Sequence, residues 1–285
     1  MSYTIRDHKL RQQNRMVEQI GSPYTSGAFT AVPKIAVMHF TAGASGRSSA
    51  EWFRNPANPG SSAHVVVDRD GSVIQCVGFD TRAQHAGRSR WRNRAGVQLS
   101  GLNAASFGIE LANWGHLRAS GSGWVSQSGV AIADPVIATH RNGNPDGSRT
   151  PIGWEPFPRV QLEAAAAIVR ALVESYGVNE IVGHDDIAPV RKADPGPAFD
   201  MAWFRARVFG GRADDGDALI RVSAASGLNL RTGPGTQFAV TKLLAEGALL
   251  EELEINGNWL QVNVIDDSGR LSLTGWVHQR FTEPA

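Results

Sequence analysis

The sequence predicts an α/β domain, a mixed central sheet flanked by helices, followed by a small all-β barrel. Three observations predict it. Up to about residue 208, short apolar runs alternate with helical patterns. A polar, small-residue stretch, Gly210-Gly211-Arg212-Ala213-Asp214-Asp215-Gly216-Asp217, then interrupts all apolar periodicity. Beyond it, six short β-like runs are spaced by turn residues. The expected organisation is a first domain over 1–209 with its core at about 34–208, a linker at 210–217, and a second domain over 218–285.

Each element has its own signal. Lys34–His39 (KIAVMH) is a short apolar run rich in β-formers. Ser48-x-x-Glu51 has the form of a capping box and predicts a short helix starting there. His64–Asp68 and Ser72–Val77 flank Arg69-Asp70-Gly71, a hairpin turn. Phe107–Leu111 (FGIEL) is a further strand. The clearest helix spans about 158–176: Leu162, Ala165, Ala166, Val169, Leu172, Val173 and Tyr176 repeat at helical spacing, and Gly177 is a natural stop. Ile181–His184 reads as a strand end, and Asp200 as the cap of a short helix to Val208. The segment between Asn113 and Pro156, rich in Gly, Ser, Asn and Pro, is long for a connection inside a compact domain. Its Trp114, Trp124, His140 and Trp154 serve either to stack on sugars or to pin the loop by packing. In the second domain the runs are Leu219–Val222, Gly227–Arg231, Val240–Leu244, Leu249–Ile255, Trp259–Val264 and Gly275–His278, with Trp259 and Trp276 expected in the barrel core.

Composition narrows the function classes. Of 285 residues, 19% are charged and 42% apolar, ordinary for a folded chain. The net charge of +1 gives no strong pull toward nucleic acid or acidic lipid. The single cysteine, Cys76, cannot form an internal disulfide and sits in an apolar run as a small core residue. No apolar run is long enough for a membrane span, and the polar start MSYTIRDHKLRQQNRM lacks the apolar core of a classical secretion signal. Oligomeric state is not encoded in any of these features.

The chemistry concentrates in GHDDIAPVRKADPGP, residues 183–197. Pro189, Pro195 and Pro197 each remove a backbone donor and fix φ, so this is neither a regular helix nor a central strand. His39 and His184 both end strands, and Asp194 follows His184 by ten residues. Two imidazoles and one carboxylate leave an open position on a metal, the pattern of a catalytic site. Strand-end histidines also serve as hydrogen-bonded loop residues, and Asp194-Pro195 also suits a turn. Glu110, inside an apolar strand, either faces solvent or acts as a general base with its pKa lifted by burial.

Five separated blocks now carry a resemblance: HFTA (39–42), SSAHVVVDRDG (61–71), HAG (85–87), SFGIEL (106–111) and GHDDIAPVRKADPGPAFD (183–200). In order and spacing, residues 34–208 resemble the zinc-dependent type 2 N-acetylmuramoyl-L-alanine amidases, which include wall-recycling amidases, phage endolysins and peptidoglycan recognition proteins. The resemblance implies His39, His184 and Asp194 as Zn2+ ligands, Glu110 as base for the attacking water, and Lys192 as the cation that meets the developing oxyanion. It implies hydrolysis of the amide between the lactyl group of N-acetylmuramic acid and L-alanine of the stem peptide, with peptidoglycan or muropeptides as partners. The alternative is a non-catalytic peptidoglycan-binding protein of the same fold. Asp185 and Asp186 orient His184 or are simply solvated, Arg191 meets a substrate carboxylate or lies on the surface, and His64 and His85 read as hydrogen-bonded walls.

Two positions depart from the pattern. Val190 stands where the family has glycine, which would strain the loop if positive φ were needed. Gln84 stands where a tryptophan commonly precedes HAG, which bears on substrate preference. Gly227–Thr236, Gly257–Val262 and Gly275–Val277 resemble the bacterial SH3 family and imply a cell-wall-targeting module. Together these imply a protein made in the cytoplasm that acts on cell wall after non-classical release, or on imported wall fragments, in an endolysin, antimicrobial or recycling context.

Overall fold

The computed structural model describes residues 2–121, 123–210, 219–265 and 271–284. The expected linker, apart from Gly210, lies outside the described residues. The chain divides into two compact units, 1–204 and 205–285, so the division falls inside the helix Met201–Phe209.

The first unit is built on a six-stranded mixed sheet. Its strands are β1 (Glu18–Gln19), β2 (Ile35–Phe40), β3 (Val65–Val67), β4 (Val73–Gln75), β5 (Ser106–Leu111) and β6 (Glu180–Gly183). The spatial order is β6-β2-β5-β3-β4-β1. β5 runs parallel to β2 and β3, and β6 runs parallel to β2. Only the β3–β4 hairpin is antiparallel, closed by Gly71 at φ +82° as the Arg69-Asp70-Gly71 turn predicts. The central strands are buried along their length, which explains why KIAVMH and SFGIEL read as nearly continuous apolar runs.

Three helices matter for the site. α1 is Gly46–Trp52, α2 is Arg159–Tyr176 and α3 is the single turn His184–Ile187. α1 starts earlier than predicted: Ser45 is the cap, and Ser48 closes the box from the third helical position. The predicted box was displaced because a serine can fill either end of the motif. α2 ends at Gly177 in the left-handed region, as expected. Its buried face is wider than the apolar stripe suggests and includes Gln161, whose amide donates to the carbonyls of Val67 and Ala112. That amide nitrogen meets carbonyls at the end of β3 and just past β5, which ties α2 to both strands, while Gln161 Oε1 is buried without a hydrogen-bond partner. The last helix, α4 (Met201–Phe209), is capped by Asp200 through the Trp203 amide.

The 113–156 segment folds into short ribbons and packs back on the domain. Val136–Ala138 pairs with Ile152–Trp154, and Trp154 is fully buried with its indole donating to the Ala138 carbonyl. For Trp154 the packing reading therefore holds. Before β1, Tyr3–Arg6, Lys9–Gln12 and Arg15–Met16 form a small three-stranded sheet. Gln75 ties that sheet to β4 by accepting from Leu10 and donating to the His8 carbonyl.

The second unit is one curled antiparallel sheet of β7 (Leu219–Val222), β8 (Leu228–Arg231), β9 (Val240–Leu244), β10 (Leu249–Asn256), β11 (Trp259–Ile265), β12 (Leu271–His278) and β13 (Thr282–Pro284). Its order is β9-β8-β12-β11-β10-β7-β13. β13 was not visible in the sequence; it pairs with β7 and joins the two ends of the unit. The core contains Val222, Leu230, Leu250, Leu260, Val262 and Val277. Trp259 and Trp276 are not in it, contrary to expectation. Alternation along β11 sends Leu260, Val262 and Val264 inward, so Trp259 falls on the other face and remains part-exposed.

Candidate metal centre

The parallel register of β2 and β5 sets the site. His39 and Glu110 are direct partners across those strands, so their side chains leave the same face side by side. β6 lies on the other flank of β2, and His184 is the first residue past its end, opening α3. The stiff loop then returns: the Asp185 amide donates to the Asp194 carbonyl at 2.8 Å, holding Asp194 beside His184. The Asp194–Pro195 bond is cis.

These connections bring His39, His184 and Asp194 together, all buried. His39 Nδ1, His184 Nδ1 and Asp194 Oδ2 stand 2.9 Å from one another on every edge of a triangle. Burial and the neighbouring His184 push the His39 pKa down to about 4, against the pull of Asp194. Burial opposes ionisation of Asp194, but hydrogen bonds and charge from His184 and His39 outweigh it and hold the carboxyl well below the usual range. A neutral imidazole and an ionised carboxylate are the forms that bind a metal. A two-nitrogen, one-oxygen donor set with one side on a cleft matches an open zinc site. The residues therefore fit the metal that the sequence implied.

That cleft has a volume of about 470 Å³ and is lined by Thr41, Ser48, Trp52, Gln84, Glu110 and Lys192 beside the triad. Glu110 is half-buried, and its Oε2 is shut from solvent with no hydrogen-bond partner. Burial first, then the Asp194 charge, raise its pKa to about 8, while Lys192 pulls it down. Such a carboxyl is poised to exchange a proton near neutral pH.

The second set of sequence candidates lies around this centre. Asp186 Oδ2 accepts from the Gly183 amide, tying the start of α3. Asp185 is buried on His140 and Arg141, and Arg141 also reaches Asp186. Arg191 turns to protein rather than to the cleft: its guanidinium donates to the carbonyls of Ala86 and Arg88 and lies 3.3 Å from His184 Nε2. His184 Nε2 is also 3.2 Å from the Ala86 carbonyl. His64 is a fully buried wall, accepting from Gly108 and donating to Thr81. Val190 is fully exposed and not at positive φ, so its side chain costs the loop no strain. His140 pins the 113–156 loop to α3 through the buried Asp185 carboxylate, and Arg141 and Asn142 contact the same turn.

Comparison with known proteins fits this geometry. Residues 29–197 match the family described as N-acetylmuramoyl-L-alanine amidase, and residues 226–283 match the bacterial SH3 domain. The chain is 33% identical over 159 residues to the 1,6-anhydro-N-acetylmuramyl-L-alanine amidase AmpD of Escherichia coli K12, covering 55% of this chain and 63% of AmpD. It is 28% identical over 171 residues to the N-acetylmuramoyl-L-alanine amidase AmiD of the same organism, covering 58% of this chain and 50% of AmiD. It thus spans less than two thirds of the length of these curated relatives. A crystal structure of a selenomethionine derivative of AmpD aligns at 27% identity with a TM-score of 0.45, over 67% of this chain and 94% of that one. With the family match running through His39, Glu110, His184 and Asp194, the chain belongs to the N-acetylmuramoyl-L-alanine amidase family and carries a bacterial SH3 domain behind the amidase region.

Proposed function

We propose that this chain is a zinc-dependent peptidoglycan hydrolase. It cleaves the amide between the lactyl group of N-acetylmuramic acid and L-alanine of the stem peptide. The observation that carries the reading is the meeting of His39, His184 and Asp194 in a cleft that also holds Glu110 and Lys192. His39 Nδ1, His184 Nδ1 and Asp194 Oδ2 would hold a Zn2+ ion. Bound there, it would supply Lewis acidity to water and to the amide carbonyl. Glu110, with its pKa near neutrality, takes the proton of the attacking water and returns it to the leaving amine. Lys192 places its charge where the carbonyl oxygen turns anionic.

A binding-only protein of this fold would need neither an unpartnered, proton-poised carboxyl nor a cation beside the metal ligands. Glu110 and Lys192 therefore favour the enzyme. The bacterial SH3 segment supports intact wall as the substrate, as an endolysin or antibacterial effector would require, over small recycled fragments. The test is mass spectrometry of purified sacculi after digestion. The expected products are free stem peptides with a new L-alanine amino terminus and unsubstituted glycan. Cleavage at a sugar–sugar bond or within the peptide would replace this assignment.

A further inference from the structure

We propose that His85 is a positioning residue that fixes the tautomer of His39, and so aims the His39 Nδ1 lone pair at the metal. The inference rests on the metal reading above and concerns how the chain prepares one ligand before the ion arrives.

The hydrogen-bonded chain from His39 through His85 ends on a residue that can only accept. Ser106 Oγ gives its single hydrogen to the Leu102 carbonyl at 2.6 Å. Its remaining lone pairs and its own backbone carbonyl both lie 3.4 Å from His85 Nε2. Neither can donate to that nitrogen, so His85 carries its proton on Nε2. His85 Nδ1 is then an acceptor, and it stands 3.0 Å from His39 Nε2. His39 must place its own proton on Nε2 to meet it, which leaves Nδ1 bare in the triangle with His184 and Asp194. The polarity of the whole chain is thus set by one serine.

Two features hold His85 in place. Asn103 Oδ1 accepts from the backbone amides of His85 and Ala86, at 3.1 and 2.7 Å, which pins the segment. Gly108 supplies the room: a Cβ there would stand 2.3 Å from His85 Cγ. The glycine inside the SFGIEL strand therefore serves the imidazole packed across it.

The experiment has two parts on the full chain. Nitrogen-15 spectra of the wild-type histidines should show His85 protonated on Nε2 and bare on Nδ1. Zn2+ affinity, measured by chelator competition, should fall about 10–100-fold in His85→Phe. It should return to near wild type in His85→Asn, whose Oδ1 replaces the Nδ1 acceptor. A His85 proton on Nδ1, or wild-type Zn2+ affinity in His85→Phe, would overturn the inference. The spectra need no variant, so they decide even if His85→Phe fails to fold. A wild type with no Zn2+ affinity would instead refute the metal reading, and the inference with it.

Discussion

His140 Nε2 lies 3.0 Å from an Asp185 carboxylate oxygen, and both side chains are buried. The contact joins the 113–156 loop to the residue that follows His184. Arg141 and Asn142 add contacts to the same turn, through the carboxylates of Asp185 and Asp186 and the Asp185 carbonyl. His140→Ala leaves a buried carboxylate oxygen short of a partner, which should cost about 1–3 kcal/mol. Arg141→Ala, at a side chain 57% exposed, should cost under about 1 kcal/mol. Urea unfolding of both variants checks the order, and equal losses would show that the buried contact is not the anchor.

Glu110 and Lys192 are expected to act on the transition state alone. Glu110→Gln should lower kcat by about 10²–10⁴, and Lys192→Ala by about 10²–10³. KM and zinc content should stay near wild type in both. Near-normal turnover in either variant removes that residue from the mechanism.

The stability of the metal-free protein should bend with pH in two windows. Burial pushes His64 down to about 4, and His39 is lowered to about 4 as well. Between their unfolded value of about 6.5 and pH 4, the unfolded chain binds protons that the folded chain refuses. Stability present above pH 6.5 is therefore lost as the pH falls toward 4. Glu110 works in the opposite sense, because its folded pKa of about 8 lies above its unfolded value. Its contribution is lost as pH rises from about 4.5 to 8. Stability should climb to about pH 6.5 and then decline, and Glu110→Gln should keep the climb and lose the decline. Identical profiles for wild type and variant would contradict the assignment.

The barrel is expected to fold alone, since β13 closes on β7 and joins its two ends. A fragment of residues 218–285 should sediment with sacculi. A chain ending at Phe209 should still cleave soluble muropeptides but lose activity on sacculi, because tethering raises local concentration at a polymer surface. Equal sacculus activity with and without the barrel would exclude a targeting role. Leu260→Ala, in the core, should destabilise by about 2–5 kcal/mol, and Trp259→Ala by less.

The features legible in the sequence are those carried by local patterns. His39 and Glu110 could be placed because each sits in a strand with a clear apolar run, and α2 because its period and terminal glycine agree. The parts that were not legible depend on partners distant in the chain. His140 meets Asp185 across 45 residues, and His39 meets His85 across 46. Gln161 carries no signal in the helical pattern; its partners are carbonyls at the ends of β3 and β5. Trp259 departs from expectation for a different reason: its place in a strand suggests the core, while the parity of Leu260, Val262 and Val264 points it outward.

The proposed function depends on a catalytic zinc ion held by His39, His184 and Asp194. The most direct test is turnover on muropeptide measured against metal content by elemental analysis, in purified, chelator-stripped and zinc-restored protein. About one zinc per chain is expected, with loss of turnover on stripping and recovery on restoring zinc. Full turnover in protein shown to be free of metal would contradict it.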